Sequence, residues 1–181
     1  MVQPYPKEDH LVGNFAPIRM ECNIDDLIID GEIPEEINGT YYRNGPDPKF
    51  HPIGGSSNWC GGDGMIHAFH ISNGKVSYLN RWMRTVKWKK EHEEQKALWS
   101  SGMDVMNNDP SVSNIETDGL ANTAIVSHAG KIFALEEAHA PFEFDQMTLE
   151  SRGSYSFNNK LQGPVTAHPK IDPITGELLF F

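Results

Sequence analysis

Residues 65–72, MIHAFHIS, and residues 75–82, KVSYLNRW, are separated by Asn73-Gly74. Two short apolar-rich runs joined by Asn-Gly predict a β-hairpin, because both central positions of a type I′ turn need a positive φ that Asn and Gly tolerate. The pattern returns twice downstream. NTAIVS and KIFALEE flank His128-Ala129-Gly130, and Asp172-Pro173-Ile174-Thr175-Gly176 precedes a run ending in Leu178-Leu179-Phe180-Phe181. In the last turn Pro173 presets φ, Asp172 can cap, and Gly176 can take the left-handed position. With 16 Gly and 12 Pro spread along the chain, these turns predict an all-β fold. Turn glycines at 74, 130 and 176 recur every ~50 residues, which suits the four-stranded blade of a β-propeller and leaves a β-sandwich open.

One segment breaks the pattern. Lys87 to Trp99, KWKKEHEEQKALW, is rich in helix formers and lacks Gly and Pro. It predicts a short, solvated helical insertion of about three turns.

The 181 residues are enough for about one domain. Fifteen Lys+Arg against 25 Asp+Glu give a formal charge of −10, which argues against nucleic acid as a partner, since phosphate binding needs clustered basic charge. Cys22 and Cys60 form no C-x-x-C pair, so a disulfide scaffold and a zinc finger are excluded. The start, MVQPYPKEDH, has no apolar core segment, and no apolar run approaches the ~18 residues of a spanning helix. A cytoplasmic location is the expectation, with peripheral membrane contact left open. Phe181 ends the chain inside an apolar strand, and an unpaired apolar edge invites aggregation. Residues 1–181 are therefore expected to be the N-terminal portion of one longer propeller domain.

Several catalytic motifs fail on inspection. Gly61-Gly62-Asp63-Gly64 is not followed by Gly-Lys-Ser/Thr, so it is no phosphate loop. There is no G-x-S-x-G elbow and no H-E-x-x-H. His67 and His70, three apart on a strand, point to opposite faces and make a poor joint metal site. For His67 a hydrogen-bonded core role is expected. His168 differs, because Pro169 pushes it into an extended backbone just before a turn. That aims an imidazole stiffly, although a lone His-Pro is by itself weak grounds for a metal ligand.

The motifs in order are Asn38-Gly39-Thr40-Tyr41-Tyr42-Arg43-Asn44-Gly45-Pro46, Gly62-Asp63-Gly64-Met65-Ile66-His67-Ala68-Phe69, Ala121-Asn122-Thr123, Leu135-Glu136-Glu137, Thr148-Leu149-Glu150, and Thr166-Ala167-His168-Pro169-Lys170 with Asp172-Pro173 and Thr175-Gly176-Glu177. Each is weak singly. As an ordered set the chain resembles the carotenoid cleavage oxygenase family, which includes the lignostilbene dioxygenases. Cys60 departs from the bulky aromatic more usual at its position, which bears on subfamily.

The resemblance implies a seven-bladed propeller with one iron(II) on its axis, held by four histidines from different blades. His168 matches the first of these, and the other three would lie beyond Phe181. Glu137 matches a carboxylate that accepts the outer N–H of an iron-ligand histidine, expected to be one of the later three. An unbroken strand would place Glu137 on the face of Phe133 and Leu135, pointing inward, while the alternative buries Glu136 and exposes Glu137. The implied reaction is cleavage of a carbon–carbon double bond by O2 to two carbonyl products. Its substrate is apolar and conjugated: a carotenoid or apocarotenoid, or alternatively a phenolic stilbene. A metal-free binding propeller and an inactive fragment are the competing classes. The 181-residue chain alone, with one ligand, is expected to bind iron weakly or not at all.

Overall fold

The computed structural model describes residues 5, 7–51, 53, 58–100 and 107–181. Two four-stranded antiparallel sheets and a two-stranded hairpin make up its regular β structure. The first sheet contains β1 (Asn23–Ile24), β2 (Gly39–Pro46), β3 (Gly64–Ser72) and β4 (Lys75–Trp82), in the order β1-β4-β3-β2. One α-helix, α1 (Val86–Glu94), follows. The second sheet runs in sequence order through β5 (Ala124–His128), β6 (Lys131–Leu135), β7 (Phe142–Phe144) and β8 (Ser151–Ser154). A short hairpin, β9 (Lys170–Ile171) with β10 (Leu178–Leu179), comes last.

All three turns form where the residues require them. Asn73 and Gly74 have φ of 51° and 70°, and they set the register that pairs Ser72 with Lys75 and Met65 with Trp82. Ala129 and Gly130 have φ of 48° and 75°. Here a Cβ enters the left-handed region, which costs ~1–2 kcal/mol. At the third turn Asp172 Oδ1 accepts the N–H groups of Ile174 and Thr175, both at 2.8 Å, and Gly176 has φ of 73°.

The two large sheets pack face to face. Ile66, Ala68, Leu79 and Met83 from the first meet Ile132, Ala134, Phe142 and Phe144 from the second. Each large side chain sealed there contributes ~1.5–3 kcal/mol. Polar splints stitch the seam: the Asn44 side-chain amide donates to the carbonyls of Ala121 (3.0 Å) and Ala124 (3.3 Å), and that of Asn122 donates to those of Cys60 (2.7 Å) and Gly62 (2.8 Å). Gly64 donates its N–H to Leu120 O at 2.8 Å. A Cβ on Gly64 would run into the backbone carbonyl of Ala121, so only glycine fits.

The Gly61–Gly64 stretch thus has a structural role. Asp63, 2% exposed, accepts the Lys49 N–H (3.1 Å) on Oδ2 and the Lys87 ammonium (2.9 Å) on Oδ1. Lys87 also reaches Glu91 at 2.6 Å, and Glu91 Oε1 accepts the N–H groups of Leu98 and Trp99. Burial opposes the Lys87 charge, but Asp63 and Glu91 more than offset it and raise its pKa.

The helix is shorter than the sequence suggests and less solvated. Thr85 caps it, its Oγ1 accepting the Trp88 N–H at 3.2 Å. Gln95 turns left-handed, with φ of 55°, and ends it. Leu98 and Trp99 then fold back onto Val112 rather than extending the helix. Lys90 makes solvated pairs with Glu93 and Glu94, while Trp88 and Glu91 are buried. Among the described residues no helix is long and apolar enough to cross a membrane.

Candidate metal centre

Strand β6 stops at Leu135 because the chain turns away after it. Glu136 and Glu137 therefore leave the strand pattern, and Glu137 does not continue the inward face of Phe133 and Leu135. Instead Glu136 is half-buried and Glu137 exposed. The segment before β9 runs back along this turn. Val165 donates its N–H to His139 O at 3.1 Å, and Thr166 donates its N–H to Phe181 O at 3.0 Å. Glu137 Oε2 accepts the Thr166 hydroxyl and the Ala167 N–H, both at 3.2 Å.

This arrangement brings the two sequence-predicted site residues together. His168 Nε2 lies 3.2 Å from Glu137 Oε1. Sequence reasoning paired Glu137 with a histidine beyond Phe181; here its contact is His168 itself. Val165, Thr166 and Ala167 are buried, so the backbone that carries His168 is anchored, while the imidazole itself is 65% exposed. With Nε2 facing a carboxylate, Nδ1 keeps its lone pair and has no hydrogen-bond partner among the described residues. One ring nitrogen held by a carboxylate and the other free is the state of a metal-ligating histidine.

Among the described residues no three His, Cys, Asp or Glu side chains converge to hold a metal ion. The donor set fits one corner of a centre. His67 and His70 do face opposite ways: His67 Nδ1 pairs with the Tyr78 hydroxyl at 2.6 Å, and His70 Nδ1 with Thr40 Oγ1 at 2.7 Å. Burial and the nearby Arg43 guanidinium lower the His67 pKa.

A second pair occupies the same turn, and sequence reasoning missed it. Glu136 Oε1 contacts His139 Nδ1, while Glu136 Oε2 accepts the Leu120 N–H at 2.8 Å. The signal available was a Glu-x-x-His spacing just past a strand end, which is too common to stand alone.

Comparison with known proteins decides the family. The family model described as retinal pigment epithelial membrane protein matches residues 15–181. The chain belongs to the carotenoid cleavage oxygenase family. It is 41% identical to the isoeugenol monooxygenase of Pseudomonas nitroreducens, an alignment covering 96% of the chain and 36% of the relative. It is 37% identical to carotenoid 9,10(9′,10′)-cleavage dioxygenase 1 of Arabidopsis thaliana, covering 95% and 35%. The crystal structure of the Pseudomonas brassicacearum lignostilbene dioxygenase superposes with a TM-score of 0.92 at 35% identity, covering 98% of this chain and 37% of that one. The chain spans about a third of the length of these relatives. Its two packed sheets and terminal hairpin are part of a propeller.

Proposed function

We propose that the protein carrying this chain is an iron(II)-dependent dioxygenase that splits a carbon–carbon double bond of an apolar, conjugated substrate. The observation that carries this reading is the Glu137–His168 contact, a carboxylate-held imidazole on an anchored backbone, in a chain of this family. His168 supplies one nitrogen to the metal and Glu137 fixes its ring. The remaining donors come from chain beyond Phe181. When bound, iron supplies the redox chemistry by which the alkene and O2 become two carbonyl products. This part of the protein contributes orientation: the buried Val165–Ala167 backbone and the Glu137 carboxylate hold the imidazole in a fixed direction.

Two substrate classes compete, carotenoids or apocarotenoids and phenolic alkenes. The 41% identity to an isoeugenol monooxygenase and the TM-score of 0.92 with a lignostilbene dioxygenase favour the phenolic class, without separating it from carotenoids by themselves. The test is product analysis with the full-length protein, iron-loaded and under O2, given a carotenoid and a stilbene in parallel. Two carbonyl products in O2-dependent turnover support the reading. Absence of cleavage with both substrates, in protein that holds stoichiometric iron, overturns it.

A further inference from the structure

The Glu136–His139 pair is unused by the scheme above, although it lies in the turn that holds Glu137 and beside the Val165–Ala167 segment that carries His168. Glu136 is fixed at both carboxylate oxygens, one by the Leu120 N–H and one by His139 Nδ1. Gly119, with φ of 90°, lies flat against the pair. A Cβ there would sit 2.5 Å from Glu136 Oε1 and 2.8 Å from His139 Nδ1. The turn is built around this contact.

A carboxylate at Nδ1 places the ring proton there and leaves Nε2 as the acceptor. Nε2 has no hydrogen-bond partner among the described residues, and the His139 side chain is 32% exposed while that of Glu136 is 12% exposed. The result is an oriented, basic nitrogen presented from the turn that carries the candidate metal corner.

We propose that His139 Nε2 accepts the hydroxyl hydrogen of a phenolic substrate, with Glu136 as the positioning residue that holds the imidazole. This assignment rests on the alkene-cleavage reading and narrows its substrate to the phenolic class. The chemistry suits the part. A carotenoid chain end offers no acidic hydroxyl, whereas a para-hydroxyphenyl alkene carries one at a fixed distance from its double bond. A site that hydrogen-bonds a substrate hydroxyl discriminates against the analogue that lacks it far more strongly than an apolar wall does.

The test uses the full-length, iron-loaded protein with trans-4-hydroxystilbene and its 4-methoxy ether. In the native protein kcat/KM for the phenol exceeds that for the ether by tenfold or more. His139→Leu removes most of that ratio by lowering the phenol value, and leaves the ether value within about twofold. Glu136→Gln lowers the ratio less, and His139→Gln restores part of it because its amide oxygen still accepts. Equal loss on both substrates would mean a merely structural role and overturns the assignment, as does a native protein indifferent to the hydroxyl. Equilibrium binding of the same two compounds to metal-free protein gives an independent readout. If cleavage is absent yet binding remains hydroxyl-selective and His139-dependent, the alkene-cleavage reading falls while the phenol site stands. If carotenoids alone are cleaved, the reverse holds.

Discussion

Around Asp63, three charged side chains are sealed from water; around Glu137, a carboxylate and an imidazole stand more than half exposed. The Asp63–Lys87–Glu91 cluster satisfies itself. Each acid finds the same ammonium, and the spare carboxylate oxygens accept backbone N–H groups from Lys49, Leu98 and Trp99. The Glu137–His168 and Glu136–His139 pairs are satisfied on one side only, each leaving an imidazole nitrogen free. Charge that closes on itself is architecture; charge that keeps an open valence is available for chemistry.

The contrast is broken most severely at Lys87. Removing one partner of a buried ion cluster leaves uncompensated charge and costs ~3–5 kcal/mol. Lys87→Met therefore leaves two carboxylates facing each other across a buried gap, and a drop of that size is expected in urea unfolding. Gly64→Ala is expected to be comparably damaging, because the new Cβ meets the fixed carbonyl of Ala121 rather than a movable side chain. A loss under ~1 kcal/mol for either variant would mean that the seam is looser than its hydrogen bonds indicate.

The opposite signature is expected at the open region. His168→Ala touches a side chain that is 65% exposed, so unfolding stability should shift by no more than ~0.5 kcal/mol. Iron retention by the full-length protein should nevertheless collapse. Glu137→Gln keeps the shape and weakens the ring's support, and a loss of ~10–100-fold in metal affinity is expected. Metal content and a dialysis-based affinity read both. A His168→Ala protein that unfolds easily but keeps its iron would invert the comparison.

How much of this was legible in the sequence follows the same division. The hairpins were, because Asn73-Gly74, His128-Ala129-Gly130 and Asp172–Gly176 encode their turns locally. The end of α1 was not. Nothing in KWKKEHEEQKALW says that Gln95 will go left-handed; that is settled by Leu98 and Trp99 reaching their own buried cluster and by Glu91 capping their N–H groups. His168 and Glu137 were identifiable through the ordered motifs, yet their mutual contact depends on β6 ending at Leu135 and on residues 165–167 returning alongside. Strand alternation alone pointed Glu137 inward. The Gly61–Gly64 run was correctly denied a phosphate-binding role, but its actual function, letting two backbones meet beside a buried acid, exists only in three dimensions.

A gentler probe uses pH at His139. The Glu136 hydrogen bond raises the His139 pKa, burial opposes it, and the nearby Asp118 and Glu116 add to the rise. A raised folded-state value means stabilisation that is complete below the unfolded pKa of ~6.5 and is lost as pH climbs through the folded value. Urea midpoints measured from pH 5.5 upward should fall across this window in the native chain and fall less in Glu136→Gln. Identical slopes would uncouple the pair.

The smallest expected effect lies away from both regions, at the β5–β6 turn. Ala129 adopts φ of 48° with a Cβ, and Gly130 follows at 75°. Both positions of this type I′-like turn favour Gly, Asn or Asp. Ala129→Gly removes the steric penalty in the folded chain but adds freedom to the unfolded one, so the two terms oppose. Ala129→Asn relieves strain with little added freedom and should stabilise by ~0.5–1 kcal/mol, with Ala129→Gly gaining less. Thermal unfolding of the pair separates the terms. If Gly stabilises more than Asn, folded-state strain dominates the turn; if neither stabilises, the pairing of Lys131 with His128 holds the turn without help from its central residues.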